Sequence, residues 1–355
     1  MRDPRVEQLA KVLVGHSIKA KPGDRVLIVG DAETAPLIKE TYREVLRAGA
    51  HPIVKVGLAE LEKIFLDEAN DEQLQDIEVM EWLYQKADAI INILGRANNK
   101  ELTNVDPQRL TIRRRATAKL MEYLMKGGAR WVLTKFPTHA EAQDAEMSLE
   151  EYEDFVFSAT NVDYAEMERS MKAVVERFDR ASKVRIVGKE TDLTVDIAGR
   201  KGVICAGTNN VPDGEIFYSP NHLLTEGRIY YDWPTVYNGR EISGIRLVFE
   251  KGRVVQASAE KGEDALLAAL DTDEGARYLG ELGIGMNFGI TRPTKDILFD
   301  EKIGGSVHLA LGRAYEEAGG GNESLIHWDM VKNLKDGGEI HLDGELVQKD
   351  GKWLF

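Results

Sequence analysis

The last third of the chain carries three closely spaced motifs, GELGIGMN (280–287), GGSVHLALGRAY (304–315) and IHWDMV (326–331). An earlier segment, VPDGEIF (211–217), supplies one more carboxylate. The candidate site residues in these segments are Glu215, Glu281, His308, Tyr315, His327 and Asp329. Two imidazoles and three carboxylates are a natural ligand set for a borderline-soft divalent cation, or for a pair of them. The motifs therefore predict a metal site.

The segment 326–331 gives the clearest local geometry. If it is a strand, alternation sends His327 and Asp329 to one face. The apolar residues Ile326, Trp328 and Met330 then lie on the opposite face, where they can anchor the strand in a core. A structural hydrogen bond between His327 and Asp329 is the alternative to a shared metal.

The other candidates are each compatible with a second interpretation. The Pro-Asp-Gly turn places Glu215 at the start of a strand, where it could equally be an exposed acid. Glu281 opens a run of apolar and glycine residues, and an acid there is costly to bury without a cation or a donor. His308 alternates with apolar residues as in a strand, but a helix would place it and Tyr315 two turns apart on one face. The residues alone leave strand and helix open.

The four motifs resemble those of the aminopeptidase T and aminopeptidase S family of two-metal exopeptidases, and the resemblance extends over essentially the whole chain. It implies a metal-dependent aminopeptidase that releases N-terminal residues from peptides with broad specificity for the residue removed. It also implies two divalent ions per subunit, zinc, cobalt, manganese or magnesium, with a water or hydroxide between them. The implied ligands are Glu215, Glu281, His308, His327 and Asp329, with Glu281 as the bridging carboxylate.

Three further expectations come from the same resemblance. Tyr315 would donate a hydrogen bond to the tetrahedral oxyanion, and Glu215 would take part in catalysis as well as in metal binding. The protein would be a homodimer. Relatives often have an acid directly before the first ligand, where this chain has Gly214, with Asp213 one position further back. This departure leaves the identity of the general base open.

Two other functions are compatible with the same residues. His308, His327 and Asp329 alone would form a two-histidine, one-carboxylate triad, typical of mononuclear non-haem iron(II) oxygenases, here of the ring-cleaving dioxygenase type. The two additional acids and the position of Tyr315 favour hydrolysis. A binding or assembly protein with a degenerate metal site is the non-enzymatic alternative, and the presence of every candidate ligand argues against it.

Composition limits the classes of partner. The formal net charge of −14 argues against a nucleic-acid-binding protein, which would show a basic face. A single cysteine, Cys205, excludes an internal disulfide framework and is too little for a thiolate zinc site, so nitrogen and oxygen ligands are expected. The sequence shows no signal-peptide core and no membrane-spanning run, which predicts a cytoplasmic protein without a membrane partner.

The pattern of elements predicts an α/β domain followed by an α+β domain. Buried β-branched segments alternate with helical segments in the first half, which predicts a doubly wound, Rossmann-like parallel sheet. This half lacks the glycine-rich phosphate motifs, so a dinucleotide role is not expected. The second half shows short alternating strands with glycine turns, which predicts mainly antiparallel sheet with helices inserted near 262–279 and 310–318. The predicted domains are 1–181 and 182–355, the second carrying the metal site.

Overall fold

A computed structural model describes residues 3–355. In chain order the helices are α1 (Pro4–Lys11), α2 (Ala35–Arg47), α3 (Leu61–Glu68), α4 (Asp71–Gln75), α5 (Glu78–Lys86), α6 (Pro107–Met125), α7 (His139–Asp144), α8 (Leu149–Thr160), α9 (Tyr164–Phe178), α10 (Glu263–Leu270) and α11 (Ile297–Asp300). The strands are β1 (Arg25–Asp31), β2 (His51–Gly57), β3 (Ala89–Leu94), β4 (Arg130–Lys135), β5 (Lys183–Gly188), β6 (Thr191–Asp196), β7 (Val203–Cys205), β8 (Asn210–Val211), β9 (Glu215–Tyr218), β10 (Glu226–Tyr230), β11 (Thr235–Tyr237), β12 (Arg240–Ile242), β13 (Arg246–Glu250), β14 (Arg253–Ser258), β15 (Leu279–Gly285), β16 (Ser306–Gly312), β17 (His327–Asn333), β18 (Glu339–Leu342), β19 (Glu345–Lys349) and β20 (Lys352–Trp353).

The chain divides into two compact units. The first contains the described residues up to Asn161 together with Gly207–Pro212, and the second contains Val162–Ala206 and Asp213–Phe355. The division at 161/162 precedes α9, whereas the sequence-based boundary at 181/182 follows it. The domain boundary at 181/182 stays a prediction from the sequence.

The first unit is built on a parallel sheet with the strand order β2-β1-β3-β4-β8. Its central strands are continuous apolar runs with buried side chains, as in Val26–Ile28 and Ile90–Ile91, because helices cover both faces of such a sheet. The longest crossover helix, α6, is capped at its start by the side chain of Asp106, which accepts a hydrogen bond from the Gln108 N–H. The predicted doubly wound α/β fold is confirmed.

The second unit contains two larger antiparallel sheets and one hairpin. Their strand orders are β14-β13-β10-β6-β5-β18-β19-β20, β17-β16-β15-β9-β7 and β11-β12. One hydrophobic core includes side chains from both large sheets, for example Ile186 and Leu247 from the first and Leu309 and Met330 from the second. Antiparallel sheets can bury one face and leave the other for polar groups. The predicted mainly antiparallel second part is confirmed.

The expected helix near 310–318 is wrong. β16 continues to Gly312, and each of its residues pairs with β17, from Ser306 opposite Asn333 to Gly312 opposite His327. Only Glu316–Ala318 form a single 3-10 turn. The long-range ladder overrides the local helical preference of the alanine- and leucine-containing segment. Within residues 3–355, every helix is too short or too polar to cross a bilayer.

Candidate metal centre

Neighbouring strands of the five-stranded sheet carry the predicted ligands. Glu215 begins β9, Glu281 lies on β15, His308 on β16, and His327 and Asp329 on β17. Residues directly opposite each other in an antiparallel pair point to the same face. Gly283 lies opposite His308, Ala310 opposite Asp329 and Gly285 opposite Glu215. All five side chains therefore belong to one face of the sheet.

The opposite face of the same strands is buried in the core. It carries Ile216, Tyr218, Leu282, Ile284, Val307, Leu309, Leu311, Trp328 and Met330. Alternation along β17 thus separates an anchoring apolar face from a functional face, as the sequence predicted for 326–331. His308 lies on a strand, which decides the question that the residues alone left open.

Small residues on the functional face leave room for these side chains. A Cβ added to Gly283 would lie 1.8 Å from His308 Nε2, so the imidazole occupies the space above that glycine. A Cβ on Gly312 would lie 2.3 Å from the backbone oxygen of Ile326, and the φ of Gly312 is +96°. The glycines in GELGIG and ALGRAY therefore allow the neighbouring strands and the histidine ring to approach closely.

The side chains converge closely. His308 Nε2 lies 3.2 Å from Glu215 Oε2 and 3.2 Å from Glu281 Oε1. His327 Nε2 lies 3.4 Å from Glu281 Oε2 and 3.3 Å from Asp329 Oδ2. Each oxygen of Glu281 thus faces a different histidine. The cluster has two halves that share this carboxylate.

A backbone carbonyl orients His327. Its Nδ1 lies 2.7 Å from the Arg313 oxygen, and a carbonyl can only accept, so Nδ1 carries the proton and donates it. Nε2 of a neutral ring is then the lone-pair nitrogen, directed at Glu281 and Asp329. Carbonyl partners of this kind fix the tautomer of metal-binding histidines.

The electrostatics indicate a site built for positive charge. Burial alone would lower the pKa of both histidines, but the neighbouring carboxylates raise the pKa of His308 well above its usual range and that of His327 to about 12. Burial would raise the pKa of Asp329, yet the hydrogen bond from His327 holds it below its ordinary value. Protons on the imidazoles thus balance the acids when no cation does so.

Tyr315 lies beside the cluster. Its ring centroid is 5.0 Å from that of His327 and 5.4 Å from that of Phe217. Its backbone N–H donates to Ser219 Oγ at 3.3 Å, which ties the segment after β16 to the segment after β9. Burial raises the pKa of the Tyr315 phenol to about 12. The hydroxyl is therefore protonated at neutral pH and able to donate.

Sequence reasoning missed Lys302 and Glu301. The Lys302 side chain is completely buried, its Nζ lies 3.5 Å from Glu215 Oε1, and it also contacts the Glu301 carboxylate. Burial would lower the pKa of Lys302, but Glu215, Glu301 and Asp213 raise it well above its usual value. The available signal was the charged pair Glu301–Lys302, which lies one residue before the GGSVHLALG segment.

The donor set fits a divalent metal. Within residues 3–355, ligand atoms of Glu281, His308 and Asp329 all lie within 4.8 Å of one another, as do those of Glu215, Glu301 and His308. Asp329 Oδ1 is buried without a hydrogen-bond partner among these residues. A buried carboxylate oxygen in that state is costly unless a cation satisfies it. Imidazole nitrogens with carboxylate oxygens suit zinc and neighbouring divalent ions.

Comparisons with known proteins agree with this chemistry. The model of the peptidase M29 family, thermophilic metalloproteases, matches residues 2–353. Aminopeptidase 2 of Geobacillus stearothermophilus is 27% identical, over 99% of this chain and 95% of that protein. Aminopeptidase T of Thermus thermophilus is 26% identical, over 98% of each chain.

Two solved structures share the fold of this chain. Wild-type AmpT from Thermus thermophilus superposes with a TM-score of 0.87 at 26% identity, over 99% of both chains. A 2,5-dihydroxypyridine dioxygenase from Pseudomonas putida KT2440 shares the fold alone, with a TM-score of 0.65 at 15% identity over 98% of this chain and 96% of that one. The family match covers nearly every residue and includes all the motifs that converge on the cluster. The chain therefore belongs to the M29 family of metalloproteases and is a metalloaminopeptidase.

Proposed function

We propose that this enzyme releases N-terminal amino acids from peptides with two divalent ions per subunit, held by Glu215, Glu281, His308, His327 and Asp329. The two-ion proposal rests on the position of the Glu281 carboxylate, whose two oxygens face different histidines. Its Oε1 lies 3.2 Å from His308 Nε2 and its Oε2 lies 3.4 Å from His327 Nε2. A carboxylate whose oxygens face two separate histidines is suited to bridge two cations. Each half of the cluster also contains one of the other acids: Glu215 lies beside His308, and Asp329 lies beside His327.

When bound, the ions would supply a water nucleophile active near neutral pH and would polarise the scissile carbonyl. The chain's own residues supply orientation and charge. The Arg313 carbonyl holds the His327 ring with Nε2 directed inward, and the apolar face of β17 fixes the strand that carries it. The protonated Tyr315 hydroxyl donates a hydrogen bond to the oxyanion as the carbonyl becomes tetrahedral.

Iron-dependent ring cleavage is the weaker candidate. A triad of His308, His327 and Asp329 would need the remaining positions around the metal open to oxygen and substrate. Here Glu281 lies between the two imidazoles, and Glu215 lies 3.2 Å from His308. These two acids favour the hydrolytic site. The homodimer and the cytoplasmic location stay predictions from the family resemblance and the composition.

The test combines metal content with hydrolysis of leucyl-4-nitroanilide. We expect two divalent ions per chain, activity that is lost on chelation, and activity that zinc, cobalt or manganese restores. E281Q should bind fewer than two ions and lose on the order of a hundredfold or more in kcat/KM, as when one electrostatic contributor is removed. E317Q alters an exposed acid two residues after Tyr315 and should behave like the wild type.

Two results would contradict the proposal. One iron per subunit without amide hydrolysis would move the assignment to the oxygenase. Two ions and full activity in E281Q would remove Glu281 from the shared position.

A further inference from the structure

Lys302 and His308 contact different oxygens of the Glu215 carboxylate. Its Nζ lies 3.5 Å from Glu215 Oε1, while Glu215 Oε2 lies 3.2 Å from His308 Nε2. The Lys302 side chain is 0% exposed. One oxygen of Glu215 is therefore committed to an ammonium, and the other faces the histidine half of the cluster.

Hydrogen bonds from Asn287 fix the backbone from which the Lys302 side chain extends. The Asn287 N–H donates to the Lys302 oxygen at 2.9 Å, and Asn287 Nδ2 donates to the Asp213 oxygen at 2.8 Å. One asparagine thus joins the segment that carries Lys302 to the segment that carries Asp213 and Glu215. Burying an ammonium is unfavourable unless good partners compensate it, so a lysine at this position needs the acids around it.

The same acids face the only cysteine of the chain. Cys205 lies opposite Glu215 in the pairing of β7 with β9. Within residues 3–355, Cys205, Asp213 and Glu215 form a group whose ligand atoms lie within 4.8 Å of one another. A thiolate with two carboxylates is an acceptable set for zinc or cobalt. Lys302 adds a fixed positive charge beside this group, because it interacts with both Asp213 and Glu215.

We propose that Lys302 is a positioning residue whose ammonium takes the place of a third metal ion. Its ammonium holds Glu215 Oε1, neutralises the group of Cys205, Asp213 and Glu215, and confines metal to the histidine side of Glu215. The centre then binds two ions per chain instead of three, and Cys205 is not a ligand. This inference rests on the proposed two-ion function and adds what limits the ion count.

The experiment loads metal-free protein with Co²⁺ and measures ions per chain and the near-ultraviolet thiolate-to-cobalt absorption. The wild type should bind two ions and show no thiolate band. K302M replaces the ammonium with an apolar side chain of similar length, and we expect a third ion together with a thiolate band. K302M/C205S should lose the band, and C205S alone should bind two ions like the wild type.

Each outcome has one meaning. A thiolate band in the wild type overturns the inference whether or not any variant folds, because Cys205 would then bind metal beside Lys302. Folded K302M with two ions and no band also overturns it, and K302Q gives the same decision if K302M does not fold. A wild type that binds no divalent ion instead refutes the proposed function.

Discussion

The Tyr315 hydroxyl combines two properties that an oxyanion donor needs. It lies on the segment directly after β16, with its ring against His327, so it is close to the proposed ligands without being one of the acids or imidazoles. Burial raises its pKa to about 12, which keeps the donating proton in place. Because a phenol can donate only while protonated, the proposed contribution would be complete at neutral pH and would be lost as the pH rises through the Tyr315 pKa of about 12.

For Y315F we therefore expect kcat to fall about a hundredfold, the usual cost of removing one preorganised donor. Metal content should stay at the wild-type level, since the phenol is not among the proposed ligands. Steady-state kinetics with leucyl-4-nitroanilide and metal analysis of the same sample check both parts. Y278F is the matched control, because the Tyr278 ring packs against His222, which is not one of the proposed ligands.

The pH profile tests whether the Tyr315 hydroxyl keeps its proton across the working range. The wild-type to Y315F ratio of kcat should be constant from about pH 6 to about pH 10, since the Tyr315 proton is not lost in that range. A ratio that falls with an apparent pKa near the ordinary tyrosine value would contradict the raised pKa. Loss of metal in Y315F would assign the tyrosine to the ligand set instead.

At the scale of single residues, local pattern predicted part of the site. His327 and Asp329 are two positions apart on one strand, so alternation alone places them on one face. Lys302, Cys205 and Glu215 come together only through the pairing of β7 with β9 and the Asn287 hydrogen bonds. Contacts of that range leave no periodic signal, and neither Lys302 nor Cys205 was predicted to contact the site.

At the scale of elements, the glycines of β15 matter as much as the proposed ligands. Gly283 pairs with His308 across the β15–β16 ladder, and the His308 ring fills the space that a side chain at 283 would need. The strand therefore carries an acid at 281 and an empty position at 283. The GELGIG motif thus combines one proposed ligand, Glu281, with the space that the proposed ligand of the next strand, His308, occupies.

G283A tests this arrangement. The added Cβ would lie 1.8 Å from His308 Nε2, so the imidazole must move away from Glu215 and Glu281. We expect affinity for at least one metal ion to fall by about 10- to 100-fold, as for other changes that disturb ligand orientation, and activity to fall with it. Metal titration of the chelated protein measures the shift.

The control for G283A is G321A, because a Cβ at Gly321 meets nothing within 4 Å. Its metal affinity should equal that of the wild type. An unchanged affinity in G283A would mean that His308 can rotate without cost, and would weaken its assignment as a ligand.

The type of element was predictable where one sequence pattern dominated, and the prediction failed where two patterns competed. The apolar runs of β1, β3 and β4 lie between helical segments and gave the parallel sheet correctly. The segment 310–318 contains helix-forming residues, yet its first part is the end of β16 because β17 pairs with it. A strand whose paired residues lie fifteen or more positions away in the sequence, as Gly312 and His327 do, is poorly visible to local propensity.

At the scale of the whole molecule, the candidate metal centre belongs to one compact unit. The metal-capable groups found within residues 3–355 all lie in the second unit. The parallel sheet of the first unit supplies none of their members. A cation bound to the native cluster should therefore stabilise the sheet formed by β9, β15, β16 and β17 directly, because a ligand stabilises the state that it binds.

Hydrogen exchange of the metal-loaded and chelated enzymes tests this distribution. At a free-ion concentration of about 100 times Kd, binding adds about 2.7 kcal/mol, which is about a hundredfold in the opening equilibrium. Amides of β15 and β16 should exchange more slowly in the loaded enzyme by up to that factor, while β1 and β3 should exchange equally in both. E281Q under the same conditions should show a smaller difference in β15 and β16. Equal slowing of β1 and β3 would instead mean that the metal controls the opening of both units together.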